Sequence, residues 1–265
     1  MFEKFLAMAQ PAVHLRKSEF SDFTKAGGRP HLPSEVAWPE VDGRLLPFLM
    51  QVDLSDVSAL LPSFLPAHGA LYFFFDQDRY EEGQIHDKHL WSVLYYPGDP
   101  RGLTERSDRD RIDRATVYRT KPLSAVKIRT LPSHYRFPGE FDEEADLMAY
   151  TKLADHDING HITDPDADAI ADHHLLGHAQ LLHGGKPELD CEYRARGVDD
   201  VDGCNNSARA ALIEASREWK LLCQIDTDFD LDWMWGDFGT LFFWVRENDA
   251  RSGRFDRVWM TLDCL

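Results

Sequence analysis

One pattern occurs twice in this chain, and the second occurrence limits the folds available to it. Leu49-Met50-Gln51-Val52-Asp53 matches Leu222-Cys223-Gln224-Ile225-Asp226, an offset of 173 residues from Gln51 to Gln224. Gly69-Ala70-Leu71-Tyr72-Phe73-Phe74 matches Gly239-Thr240-Leu241-Phe242-Phe243-Trp244, an offset of 170 from Gly69 to Gly239. A third strand-like run follows in each segment, Trp91 to Tyr96 and Arg257 to Asp263. Short apolar runs bounded by turn residues read as buried strands. Their short connections favour antiparallel pairing, because parallel neighbours need longer crossovers. Two copies are too few for a solenoid. The expectation is a duplicated, two-lobed α+β protein with mostly antiparallel sheets and a few peripheral helices. It would form a single domain over 1–265, with repeats at about 25–135 and 173–265.

Between the runs the local signals are mixed. Residues 2–10 have helical spacing up to Pro11, and Leu54 to Leu61 predicts a short helix ending before Pro62. Gly27-Gly28 and three prolines, the last in Trp38-Pro39, forbid regular structure over about 27–39. Strands are expected within 115–130, helices at 140–155 and 207–217, and polar loops at 156–172 and 191–203.

Charge is distributed unevenly. The chain carries 29 Lys and Arg against 46 Asp and Glu, a net charge of −17. Residues 1–139 balance at 18 acids and 18 bases, so the whole excess lies in 140–265, with 28 acids and 11 bases. That field repels nucleic acid and anionic lipid, and attracts cations or a basic protein. Residues 101–136 run the other way, with ten bases and four acids, and can pair with the acidic half. No run approaches the roughly 20 apolar residues of a membrane helix. The N-terminal residues are too short and too charged for a signal peptide. Cys191, Cys204, Cys223 and Cys264 show neither Cys-x-x-Cys spacing nor a disulfide framework, which favours reduced thiols in a bacterial-type cytoplasm.

The second copy contains residues that the first lacks. Asp226, Asp228, Asp230 and Asp232 alternate, and Asp237 stands eleven residues after the first. The spacing is close to that of a calcium loop, although Leu231 replaces the turn glycine and Asp237 the terminal Glu. Trp233 and Trp235 read as core at strand spacing. Exposed beside the carboxylates, they would instead suit a basic peptide, an amine or a sugar. A second cluster joins Asp172 and His173 to His174 and His178, whose i, i+4 spacing fits zinc on a helix, while Leu175-Leu176-Gly177 argues for a strand edge. A divalent metal is therefore the candidate cofactor, held by either group.

Catalytic signatures are missing from the sequence. It has no Gly-x-Ser-x-Gly, its Gly-Gly is not a phosphate loop, and nothing marks Cys204 as an activated thiol. The expected role is a protein- or ligand-binding one, with a basic protein or a small ligand as partner. The alternative is a metal-dependent enzyme or sensor.

Several pieces stand out together: Gly27-Gly28-x-Pro30-x-Leu32-Pro33, Trp38-Pro39, Gln51-Val52-Asp53, Gly69-x-Leu71, His173-x-Leu175-Leu176-Gly177, and Trp219 through Gly239. In these the chain resembles the YwqG-like family, a bacterial family of unknown function. The resemblance covers about residue 25 to the C-terminus and is most specific in its last block. Ala179 stands where similar proteins carry Pro, and His183 lies near a usual Gln. The resemblance implies a compact duplicated fold and no established activity.

Overall fold

Ten strands form one antiparallel sheet. In the computed structural model of the chain, the described residues are 3–81, 88–106, 117–137, 144–154, 172–198 and 205–265. Within them lie β1 (Gln10–Lys17), β2 (Lys25–Ala26), β3 (Glu40–Val41), β4 (Arg44–Leu45), β5 (Phe48–Asp53) and β6 (Ala70–Phe75). They are followed by β7 (Trp91–Tyr96), β8 (Lys121–Thr130), β9 (His174–Leu176), β10 (Trp219–Asp226), β11 (Thr240–Arg246) and β12 (Trp259–Asp263). β3 and β4 make a separate hairpin, and the rest are ordered β12-β11-β10-β9-β1-β8-β2-β5-β6-β7. Helices are few and short, the longest among the described residues being Asn206–Ser216. The α+β class and the antiparallel pairing agree with the sequence.

The strands read as unbroken apolar runs because both faces of the sheet are covered. Along β6, Leu71, Phe73 and Phe75 point into the main core, while Ala70, Tyr72 and Phe74 pack outward against Phe23, Trp38 and Leu45. Along β11, Leu241, Phe243 and Val245 point inward, and Phe242 and Trp244 outward. Inward residues from distant strands meet: Phe73 and Phe243 have ring centroids 5.2 Å apart, and Trp91 and Trp259 5.7 Å. The Trp91 indole also donates to the Val258 carbonyl at 3.2 Å. The two edge strands, β7 and β12, therefore approach one another, and the sheet curls into a nearly closed barrel.

At its centre, β1 pairs with β8 and β9, and β8 with β1 and β2. β1 thus lies against the sheet built by β9 to β12, and β8 against the sheet built by β2 and β5 to β7. Flanking contacts recur on both sides. Gln51 accepts from His31 N and donates to Phe23 O; Gln224 accepts from Gln180 N and donates to Asp172 O. Asp53 N donates to Thr24 Oγ1 at 3.0 Å, and Asp226 N to His173 Nδ1 at 3.1 Å. Register breaks fall between Phe48 and Met50 in β5 and between Leu221 and Cys223 in β10. Gly27 and Gly28 have φ of 63° and 70°, Leu176 and Gly177 66° and 72°.

Two local expectations are corrected. Helix covers only Glu3–Leu6, and β1 begins at Gln10, so Pro11 sits inside a strand. Cys191 belongs to a helix, Pro187–Ala195, opened by Pro at its first turn. His174 lies on β9, a strand as Leu175-Leu176-Gly177 argued and not a helix, because β1 and β10 both pair with that segment. His156, His161 and Cys204 lie outside the described residues.

Candidate functional site

Thr227 to Gly239 joins β10 to β11 and is tied down at both ends. Thr227 N and Oγ1 both donate to Gly239 O, and Trp235 N donates to Thr227 Oγ1. Inside, Asp228 and Trp233 bridge, and Phe229–Leu231 makes one 3-10 turn. The turn ends at Asp232 in the left-handed region (φ 60°), which a short carboxylate side chain tolerates.

The turn sends Trp233 and Trp235 into the core, where both are fully buried. Their rings lie 5.5 Å apart, against Tyr118 at 6.0 and 6.2 Å, with Phe75 beside Trp235 and His173 beside Trp233. The exposed tryptophan pair beside the carboxylates is thus replaced by two core side chains. The Trp235 indole donates to Asp226 O at 3.0 Å. The Trp233 indole N–H has no partner among the described residues.

Each aspartate has its own set of contacts. Asp226 accepts from Thr240 Oγ1 at 2.7 Å, Thr227 N and Asp172 N. Asp228, buried, accepts from Lys17 Nζ at 2.9 Å, from Asp230 N and from His173. Asp230 takes the same Lys17 ammonium at 2.8 Å, and Asp232 pairs with Arg119 at 2.8 Å. Asp237 faces solvent. Asp228 and Asp230 thus converge on the Lys17 ammonium, while Asp226 and Asp232 are turned to other partners.

His173 is fixed as a tautomer by two bonds. Its Nδ1 accepts from Asp226 N, so the proton sits on Nε2, 3.2 Å from Asp228 Oδ2. Burial pushes the Asp228 carboxyl up, but the bonds from His173 and Lys17 prevail and hold it at about 2. Burial also raises Asp226, and the Thr240 hydroxyl only partly offsets this.

One strand over, His14 of β1 and His174 of β9 are register partners and share Asp172. Asp172 Oδ1 lies 3.2 Å from His174 Nδ1 and 3.9 Å from His14 Nε2. The shorter contact is close enough for an ion pair yet not aligned as a hydrogen bond. His174 Nε2 meets His178 O at 3.2 Å. Burial lowers His174, but the Asp172 carboxylate outweighs it and the net shift is upward; for His14 burial wins and the shift is downward. His178 is turned away, with Nε2 at the Met8 carbonyl. Among the described residues no three His, Cys, Asp or Glu side chains are grouped to hold a metal ion, since both His173 nitrogens and His178 Nε2 already have protein partners.

The signs of these shifts fix the response to pH. Asp228 is lowered from an unfolded value of about 3.9, so its stabilisation is complete above that pH and is lost as pH falls toward about 2. At its full extent the term is on the order of 2 kcal/mol. His174 is raised, so its contribution is present below about 6.5 and is lost as pH rises through its folded value. Asp228→Asn is expected to flatten the acid limb of the stability curve, read by urea unfolding at pH 7 and about pH 3. Equal losses in wild type and variant would contradict the assignment.

Sequence reasoning missed the outward residues of the loop. Phe229, Met234 and Phe238 are exposed, while the two tryptophans are not. The available signal was the alternation itself: once Trp233 and Trp235 are core, Met234 between them must face out.

A near-barrel of ten antiparallel strands with a polar cluster at its central seam defines an α+β protein with no recognised catalytic constellation among its described residues. The chain belongs to the family described as "Domain of unknown function (DUF1963)", whose model matches residues 24–264. No curated protein matches it. Among the described residues no helix is long and apolar enough to cross a membrane.

Proposed function

We propose that this chain is a binding protein for a basic partner. The observation that carries the reading is the segregation of charge: the entire excess of acid lies in residues 140–265, and no Lys or Arg occurs between Lys220 and Arg246. A field of one sign over one region speeds encounter with the opposite sign and rejects nucleic acid. Lys17 and Arg119, reaching in from elsewhere, answer only part of the Asp226–Asp237 series. The metal-dependent alternative has weaker support, because among the described residues no three of the carboxylates and histidines are grouped to hold a metal ion.

The same reading takes the two segments, about 25–135 and 173–265, as duplicated halves of one domain. It is supported by the matched glutamine bonds, the paired register breaks and the paired left-handed residues. Kinship with the YwqG-like proteins within the family, and a bacterial cytoplasm, complete the proposal. Free thiols at Cys191, Cys223 and Cys264 suit that compartment.

A low-salt pull-down from the host lysate, followed by kinetics with the recovered partner, tests this reading. The partner is expected to be basic, with an association rate that falls about tenfold or more from ~20 to ~200 mM salt. Recovery of no basic protein removes the support.

A further inference from the structure

We propose that the tip of the Thr227–Gly239 loop is a docking surface for a basic polypeptide segment that carries an apolar anchor. The inference rests on the basic-partner reading and says where that partner seats. Phe229 and Phe238 are 60% and 52% exposed, with rings edge to face at a centroid distance of 5.8 Å. Met234 on the same loop is 48% exposed, and Leu265, tied to the loop by its N–H to Asp237 O, is 71% exposed. Exposed apolar residues scattered singly are ordinary; two aromatic rings held against each other in water are not. Each Å² that a partner covers is worth about 25 cal/mol.

A second observation falls on the same residue. Phe238 has φ of 51°, a left-handed conformation that is strained for a bulky side chain. Its exposed ring does not offset that strain through burial in the fold. A ring that the fold does not cover is free to be covered by a partner.

Charge selects the occupant. Five aspartates lie between 226 and 237, and the cations that reach them are Lys17 and Arg119. Asp237, next to Phe238, forms no ion pair among the described residues. A Lys or Arg of the partner can pair with Asp237 and lie over the Phe229 or Phe238 ring, while an adjacent apolar side chain covers the rings. An acidic or purely apolar segment would bury carboxylates without compensation.

Two synthetic peptides of equal charge test this: one pairs its lysines with leucines, the other pairs the same lysines with serines. At ~20 mM salt, where charge attraction is least screened, the leucine peptide is expected to bind wild type about tenfold tighter than the serine peptide. Phe229→Ser with Phe238→Gly is expected to erase that preference, leave the salt dependence of the serine peptide intact and not lower the Tm, since glycine relieves the left-handed strain. A preference that survives in the variant overturns the docking surface alone. Failure of both peptides to bind wild type overturns the basic-partner reading and this inference with it. If wild type sediments as a dimer that the variant does not form, the occupant is a second copy of the chain and the basic-segment proposal falls.

Discussion

Replacing Glu192 with alanine is expected to lower stability by about 3 kcal/mol or more, read as a shift in the urea midpoint with an unchanged slope. Glu192 is fully buried, in the helix Pro187–Ala195. Its carboxylate accepts from the Trp219 indole at 2.9 Å, from Arg246 and from Arg196. Arg246 in turn lies over the Trp219 ring at 4.7 Å. Burial pushes the Glu192 carboxyl up, but the bonds from Arg246 and Trp219 pull it below its ordinary value. Alanine would leave a buried indole N–H and a half-covered guanidinium without their acceptor. Arg196 and Arg246 keep 52% and 26% of their side-chain surface in water, which places the cost at the lower end of the range for a broken buried pair. Glu192→Gln keeps an acceptor for Trp219 and is expected to lose less. A loss below ~1 kcal/mol for alanine would mean the outer helix is not clamped to β10 and β11 by this carboxylate.

Gly27→Ala is expected to cost a similar amount, roughly 3–5 kcal/mol, from left-handed strain and overpacking together. At φ 63° a Cβ on residue 27 would sit 1.8 Å from the Arg119 carbonyl oxygen, so backbone would have to move. Two positions separate the terms. Leu176 adopts φ 66° with a full side chain, which shows that the fold tolerates the conformation where space exists. Gly43, at φ 76°, has nothing within 4 Å of a built Cβ, so Gly43→Ala should cost only about 1 kcal/mol. If the two alanine variants melt alike, close approach of the Gly27 backbone to residue 119 is not what the glycine provides.

How much could be read in advance differs by element. Strands β5, β6, β10 and β11 announce themselves because both faces are buried and turn residues bound them, and β7 and β12 because they are short apolar runs. β1 does not, since Gln10-Pro11-Ala12-Val13-His14 alternates poorly and its pairing partners lie far along the chain in β8 and β9. The helix Pro187–Ala195 is polar on most of its surface, and its anchoring residue is a glutamate, so no apolar stripe marks it. Within the candidate site the aspartate spacing is local and visible. What each aspartate faces is not, because Lys17, Arg119 and His173 come from segments distant in the chain. The tryptophans read as core from their spacing, but what covers them was hidden for the same reason: Tyr118 and Phe75 come from distant segments.

The crossing of β1 onto β9 also sets a timetable for synthesis. A ribosome adding roughly 5–20 residues per second delivers β1 on the order of ten seconds before the strand it must lie beside. The β1 segment waits first for β8 and then for β9, and until β8 emerges the early β2-β5-β6-β7 sheet has an open side at β2. Unpaired strand edges recruit other chains, so this interval is when the nascent protein is most exposed to misassembly, and when a chaperone that shields strand edges would have the most to protect.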